Sequence, residues 1–161
     1  AFKSYFLPLI ILSALPFGFC GAVIGHIVFG KGLSMISYWG IGAACGVVIN
    51  DNLVLVDYIN RVRKSGKHLL EAVIEAGVVR FRPIVITSIT TFVGLMPIML
   101  EPSVQANFLK PAVISLTCGV VLCAPVTLIL VPCLMVIGAD IKEVLIRIPQ
   151  AIRRQFSPNV T

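Results

Sequence analysis

Charge is scarce in this sequence. Only 12% of its 161 residues are Asp, Glu, Lys or Arg, and the acids number seven. A soluble domain usually has roughly 25% charged residues, so the polar surface needed to coat a water-facing domain is missing. Histidine occurs twice and tryptophan once. The five cysteines (Cys20, Cys45, Cys118, Cys123 and Cys133) lie inside apolar runs, with no CxxC spacing and no histidine at ligand spacing. Neither a zinc site nor a disulfide framework is indicated, which leaves them as small packing residues. No nucleophile stands at a recognisable distance from a base, and no phosphate-cradling glycine loop is present, so an enzyme is not expected. The first residue is Ala1, not Met, and no leader of charged, apolar and small residues precedes the first apolar run. We therefore expect the chain to be excised from something larger.

What the sequence has instead is apolar length. Hydrophobic residues make up 58% of it. A helix that crosses a bilayer needs about 20 mostly apolar residues, and four runs are long enough. The expected fold is all-α: spans at about 7–29, 38–58, 83–100 and 111–137 form a membrane unit over 1–138, followed by a basic amphipathic tail over 139–161. A short amphipathic helix between the second and third spans has Leu69, Val73 and Ala76 on one side and Glu71 and Glu75 on another, with Gly77 as its end or bend. A polar loop, PSVQANFLK, precedes the fourth span.

Small residues recur at intervals that let helix backbones approach closely in lipid. In the first span Gly18, Ala22 and His26 are four apart, with Gly21 and Gly25 beside them; we read His26 as an interfacial or packed histidine rather than a proton carrier. Pro16 should kink this span. In the second, Gly42, Gly46 and Asn50 form a seam. In the fourth, Ser115, Gly119 and Cys123 do so, with Pro125 and Pro132 expected to kink the helix.

Cations are strongly segregated. Lys3, Arg61, Arg63, Lys64, Lys67, Arg80, Arg82, Lys142, Arg147, Arg153 and Arg154 fall on one side of the predicted spans, against Lys31 and Lys110 on the other. The positive-inside rule then places both termini and the middle loop in the cytoplasm. Cations placed between and after spans do not make a nucleic-acid face; the expected surroundings are lipid.

The stretch GVVINDNLVLVD puts Asn50, Asp51 and Asn52 in the middle of the second span. An ionisable group at that depth costs a few kcal/mol or more, and persists where protein or water shields it along an ion path. Asp57 can close the helix end by pairing with Arg61 at i, i+4. On the third span Arg80, Thr87, Thr91 and Gly94 share one face. Ser88 and Thr90 read as hydroxyls bonded to their own backbone.

The segments GVVINDNLVLVDYINRVRKSG and EAVIEAGVVRFRPIVITSITTFVGLMPIML resemble the resistance–nodulation–division (RND) efflux transporters. RFRPI with ITS, after VDYINR, carries most of that likeness. PLIILSALPFGFCGAVIGHIVFG and PAVISLTCGVVLCAPVTLILVPCLMVIG are similar to that family's helices in the same order. The resemblance implies the last four of twelve spans of a homotrimeric drug/proton antiporter in the bacterial inner membrane. Such a pump is driven by the proton-motive force without a cofactor, and works with a periplasmic adaptor and an outer-membrane channel. It also implies a proton relay of Asn50, Asp51, Arg80 and Thr87; the residues themselves add Thr91, on the Arg80 face, and Asp57 as secondary candidates. Asn50 stands where the family has a lysine, and Asp51 where an asparagine is usual. The family's two halves are parallel repeats, so Asn50 and Asp51 occupy the places that paired aspartates hold in the other half. A metal or lipid exporter of the same superfamily, and a stand-alone four-helix channel or assembly factor, remain alternative readings.

Overall fold

The computed structural model describes the backbone of residues 6–155 and the side chains of residues 6–146. Lys3, the side chains of Arg147, Arg153 and Arg154, and the last six residues of the tail lie outside the described residues. Five helices occur in the order α1 (Phe6–Leu12), α2 (Leu15–Val28), α3 (Met35–Lys64), α4 (Leu69–Leu100) and α5 (Val104–Gln155), and the described residues contain no strand. The stretches Phe6–Val28, Met35–Lys64, Leu69–Leu100 and Val104–Ile146 are each long and apolar enough to cross a membrane. At 1.5 Å per residue, α5 is about 78 Å long, more than twice a hydrocarbon core of about 30 Å. It must project beyond the bilayer.

The first span is two helices. Pro16 has no N–H for the carbonyl four residues back, so the helix breaks at Ser13–Ala14. The break is satisfied locally: the Ser13 hydroxyl donates to the Ile10 carbonyl at 2.6 Å, and the Cys123 thiol donates to the Ala14 carbonyl at 3.5 Å. Irregular backbone at membrane depth survives where protein covers it, and Ala14 is fully buried. At the far end of α2, Gly30 adopts φ 62°. There the Lys31 N–H reaches the His26 carbonyl and the Gly30 N–H the Ile27 carbonyl, which is the glycine-dependent way of ending a helix.

α5 is the central element and packs against every other helix. Where it meets α2 and α3 the contact is nearly backbone to backbone. A Cβ added to Gly21 would lie 3.0 Å from the Cys118 carbonyl and 3.3 Å from the Gly119 Cα; one added to Gly119 would lie 3.0 Å from the Ala44 Cβ. A Cβ on Gly25 would sit 2.5 Å from the Cys118 side chain, and one on Gly40 would run into the Ala112 carbonyl. Gly18 faces the Cys123 sulfur. His26 is buried, and its Nδ1–H donates to the Ala22 carbonyl at 2.9 Å. Its other ring nitrogen, Nε2, shares a hydrogen bond with the Ser37 hydroxyl on α3 at 2.9 Å. The histidine thus ties α2 to the first turn of α3.

Two expectations change. The amphipathic segment is no separate helix, because α4 runs through Gly77 without interruption. A lone glycine costs a helix only about 1 kcal/mol. Against that, Ala72, Val73 and Ala76 are buried in one core cluster with Leu55, Val56 and Ile59 of α3, Ile10 and Ile11 of α1, and Val131 and Met135 of α5. The polar loop before the fourth span likewise shrinks to 101–103, and the helix continues through Pro125, Pro132 and Gly138 into the tail.

Gly40 and Gly42 give a matched pair. In the 161-residue chain in detergent micelles, Gly40→Ala should destabilise by about 1–3 kcal/mol, since backbone must move to admit the methyl. Gly42→Ala, with nothing within 4 Å of its Cβ, should be neutral or stabilising. Thermal unfolding midpoints of the two variants check this.

Candidate functional site

α3 has two unlike faces. Gly40, Ala44, Val48 and Asn52, four residues apart, are buried and run into the core at Leu55 and Val56. Gly42, Gly46 and Asn50 are offset from that seam by two residues, about 200° around the helix. They are exposed, with nothing within 4 Å of either glycine. The seam expected from the two glycines is therefore the open face of α3 within this chain. Asp51 lies between the two faces, half-buried near the middle of the helix. It has no hydrogen bond or ion pair among the described residues.

Asn52 is the buried member of the triplet, at 1% exposure, and neither amide atom has a partner among the described residues. Its level in the bundle follows from its neighbours. Val48 clusters with Cys123, and Val56 with Val131. Asn52 lies four residues from each of the α3 pair, and Thr127 four from each of the α5 pair. Thr127 is buried at the same level, its hydroxyl donating to the Ala124 carbonyl at 3.0 Å.

Arg80 is half-buried, with its guanidinium carbon 5.3 Å from the centroid of the Tyr58 ring and its Nε buried without a hydrogen-bond partner. The ring face attracts the cation. The Tyr58 hydroxyl donates to Glu75 at 3.4 Å, and the Lys67 ammonium donates to the other Glu75 oxygen at 2.6 Å. That hydrogen bond to Glu75 raises the Lys67 pKa. Lys67, Glu75, Tyr58 and Arg80 thus form one chain of contacts from the α3–α4 turn to the start of the third span. Spacing carries no signal for the Tyr58–Arg80 pair, because its members are 22 positions apart, on either side of a turn.

Asp51 lies two turns before Tyr58 on α3 and Thr87 two turns after Arg80 on α4, each about 10.5 Å along its own axis and on the same face as its reference residue. Thr87 is exposed and its hydroxyl donates to the Pro83 carbonyl at 2.9 Å; Ser88 is buried and donates to Ile84 at 3.0 Å. Thr91 is half-buried one turn further on, and Gly94 is open. Asp57 is paired with Arg61 at 2.8 Å, both exposed. The site can offer one carboxyl group near the middle of α3 and hydroxyls on the neighbouring α4. The described residues contain no cluster of histidine, cysteine or acidic side chains able to hold a metal ion.

Residues 1–138 match the AcrB/AcrD/AcrF family. The chain is 30% identical over 143 residues to the multidrug resistance protein MdtC of Proteus mirabilis, covering 88% of this chain and 14% of that protein. It is 32% identical over 132 residues to MdtC of Erwinia amylovora, covering 81% of this chain and 13% of that protein. The chain thus spans about one-seventh of the length of these relatives.

If the Tyr58 ring holds the guanidinium, a Tyr58→Leu/Arg80→Gln double-mutant cycle should give a coupling of about 1–2 kcal/mol. Tyr58→Phe should lose less, since it removes only the long bond to Glu75. Unfolding in detergent supplies the four stabilities; additive effects would show that the ring and the cation are independent.

Proposed function

The chain belongs to the AcrB/AcrD/AcrF family, and on that premise we propose that it is the C-terminal membrane part of a proton-driven inner-membrane pump exporting drugs or other amphiphilic compounds. The observation that carries this reading is Asp51. It is a carboxyl group at mid-depth, half-buried, unpartnered among the described residues, and beside an open face of small residues. A charge there is tolerated when further protein or water shields it. The face formed by Gly42, Gly46 and Asn50 suits close approach of another helix, which in a pump of two parallel halves is the other half of the same chain. Asp51 then accepts and releases the coupled proton at that interface, where transporters of repeated halves place their sites. The Thr87 hydroxyl and the positive charge of Arg80, held by Tyr58, are supplied by the neighbouring α4.

Energy comes from the proton-motive force without a cofactor. The cations Arg61, Arg63, Lys64, Lys67, Arg80, Arg82 and Lys142 support cytoplasmic termini by the positive-inside rule. A homotrimer coupled to a periplasmic adaptor and an outer-membrane channel belongs to the same proposal. It rests on family membership alone.

Replacing Asp51 in the intact pump tests the relay. Asp51→Asn should reduce pH-gradient-driven efflux from everted vesicles roughly tenfold or more, the order expected when a positioned proton carrier is lost. Asp51→Glu should keep part of the activity with a displaced pH profile. Efflux and pH dependence both unchanged in Asp51→Asn would reject the role. The interface has its own test: Gly46→Leu should fold normally in the 161-residue chain but disable the intact pump. Equal tolerance in both would mean that no helix approaches this face.

A further inference from the structure

A cleft of about 320 Å³ opens at the end of the bundle that collects most of the cations. Three helices wall it. α1 contributes Phe6, Leu7 and Ile10; α3 contributes Asn60 and Arg63; α5 contributes residues from Met135 to Ile146. The Phe6 ring lies directly against Gly138, where a Cβ would run into it, so α1 and α5 close tightly on one side of the cleft.

The lining changes character with depth. Ile10 and Met135 are buried at 3% and 6% exposure, and Leu7 is half-buried. Asn60 and Arg63 follow Ile59, the last α3 residue of the core cluster. Lys142 lies seven residues beyond Met135, about 10.5 Å further along the same face of α5. Arg63 and Lys142 are exposed, and neither has an ion pair among the described residues. Glu143 also reaches the wall and has an interaction of its own. The cleft thus runs from aliphatic carbon to two cations and an amide over about 10 Å, the distance between the upper acyl carbons and the headgroup of a lipid. Basic pockets between membrane helices are suited to anionic headgroups, and the carboxylate of Glu143 leaves the walls with a net positive charge.

We infer that this cleft binds an anionic phospholipid, with the phosphate between Arg63 and Lys142, the Asn60 amide donating to it, and an acyl chain along Leu7, Ile10 and Met135. The bound lipid would join the ends of α1, α3 and α5, which also meet in the core one turn deeper. Charge selects this occupant: a zwitterionic lipid brings a cation of its own against Arg63 and Lys142, and a detached phosphate makes no use of the aliphatic floor. The inference does not depend on what the protein transports.

The test uses the protein carrying this chain, extracted in mild detergent and offered phosphatidylglycerol and phosphatidylethanolamine in equal amounts. Native mass spectrometry counts what is retained. Phosphatidylglycerol should be preferred at least about fivefold, and each cation neutralised should weaken its binding about fivefold, so Arg63→Gln with Lys142→Gln should abolish the preference. Lys64→Gln, one residue from the cleft but not lining it, should leave the preference intact. The charge-conserving pair Arg63→Lys with Lys142→Arg should retain it, which separates loss of the site from misfolding. Equal retention of the two lipids by the unaltered protein would overturn the inference. So would a preference surviving the double neutralisation, an equal loss in Lys64→Gln, or release of the lipid by millimolar inorganic phosphate.

Discussion

Apolar side chains gain little by leaving lipid tails for the inside of a helix bundle, so membrane helices hold together by how closely their backbones can approach. Here that approach is concentrated on α5. Gly119 lies against Ala44 of α3 and the Gly18 carbonyl of α2, Gly21 rests on Cys118 and Gly119, and Gly40 rests on Ala112. At this spacing van der Waals contact is dense and a single methyl group is an obstruction. The His26–Ser37 hydrogen bond and the thiol bond of Cys123 to the broken first span sit on the same contacts. Remove the close approach and these buried polar groups lose the partners that the packing gives them.

With α3 pinned by its Gly40–Asn52 face, the opposite face has to look outward. That places Gly42, Gly46 and Asn50 on the surface of the chain and leaves Asp51 at the boundary. The same constraint buries Asn52. The polar triplet therefore divides into three environments within one helical turn, and the acid falls in the intermediate one. α4 adds to the asymmetry. Its first half is anchored by Ala72, Val73, Ala76 and the Tyr58–Arg80 contact, while Phe92, Val93, Met96 and Leu100 in its second half are exposed.

The charged end of the bundle is built differently from its middle. The Asp57–Arg61 ion pair there is exposed and contributes about 1 kcal/mol or less. What orders this end is the apolar cluster of α1, α3, α4 and α5 beneath it. The contact chain from Lys67 to Arg80 and the cleft between α1, α3 and α5 are two separate uses of that platform, one directed toward the candidate relay and one toward the lipid surface.

Much of this was legible before any coordinates. The four apolar runs, the kink at Pro16 and the glycine seams of the first and fourth spans follow from composition and i, i+4 spacing, because bilayer thickness and helical pitch are fixed. So did the Asp57–Arg61 pair, which is local. Helix ends were less legible: Gly77 looked like a stop, yet burial of its neighbours outweighs one glycine. The choice between the Gly42–Asn50 and Gly40–Asn52 faces of α3 was not legible, since both have small residues at the same interval. Only the position of α5, through the fit of Ala112 on Gly40 and Ala44 on Gly119, decides which face is inside. The sequence alone determined that a carboxyl group sits near the middle of a helix long and apolar enough to cross a membrane. Tertiary structure decided that it stands at the edge of the open face and that Arg80 is held against Tyr58, because those facts depend on contacts between residues far apart in the chain.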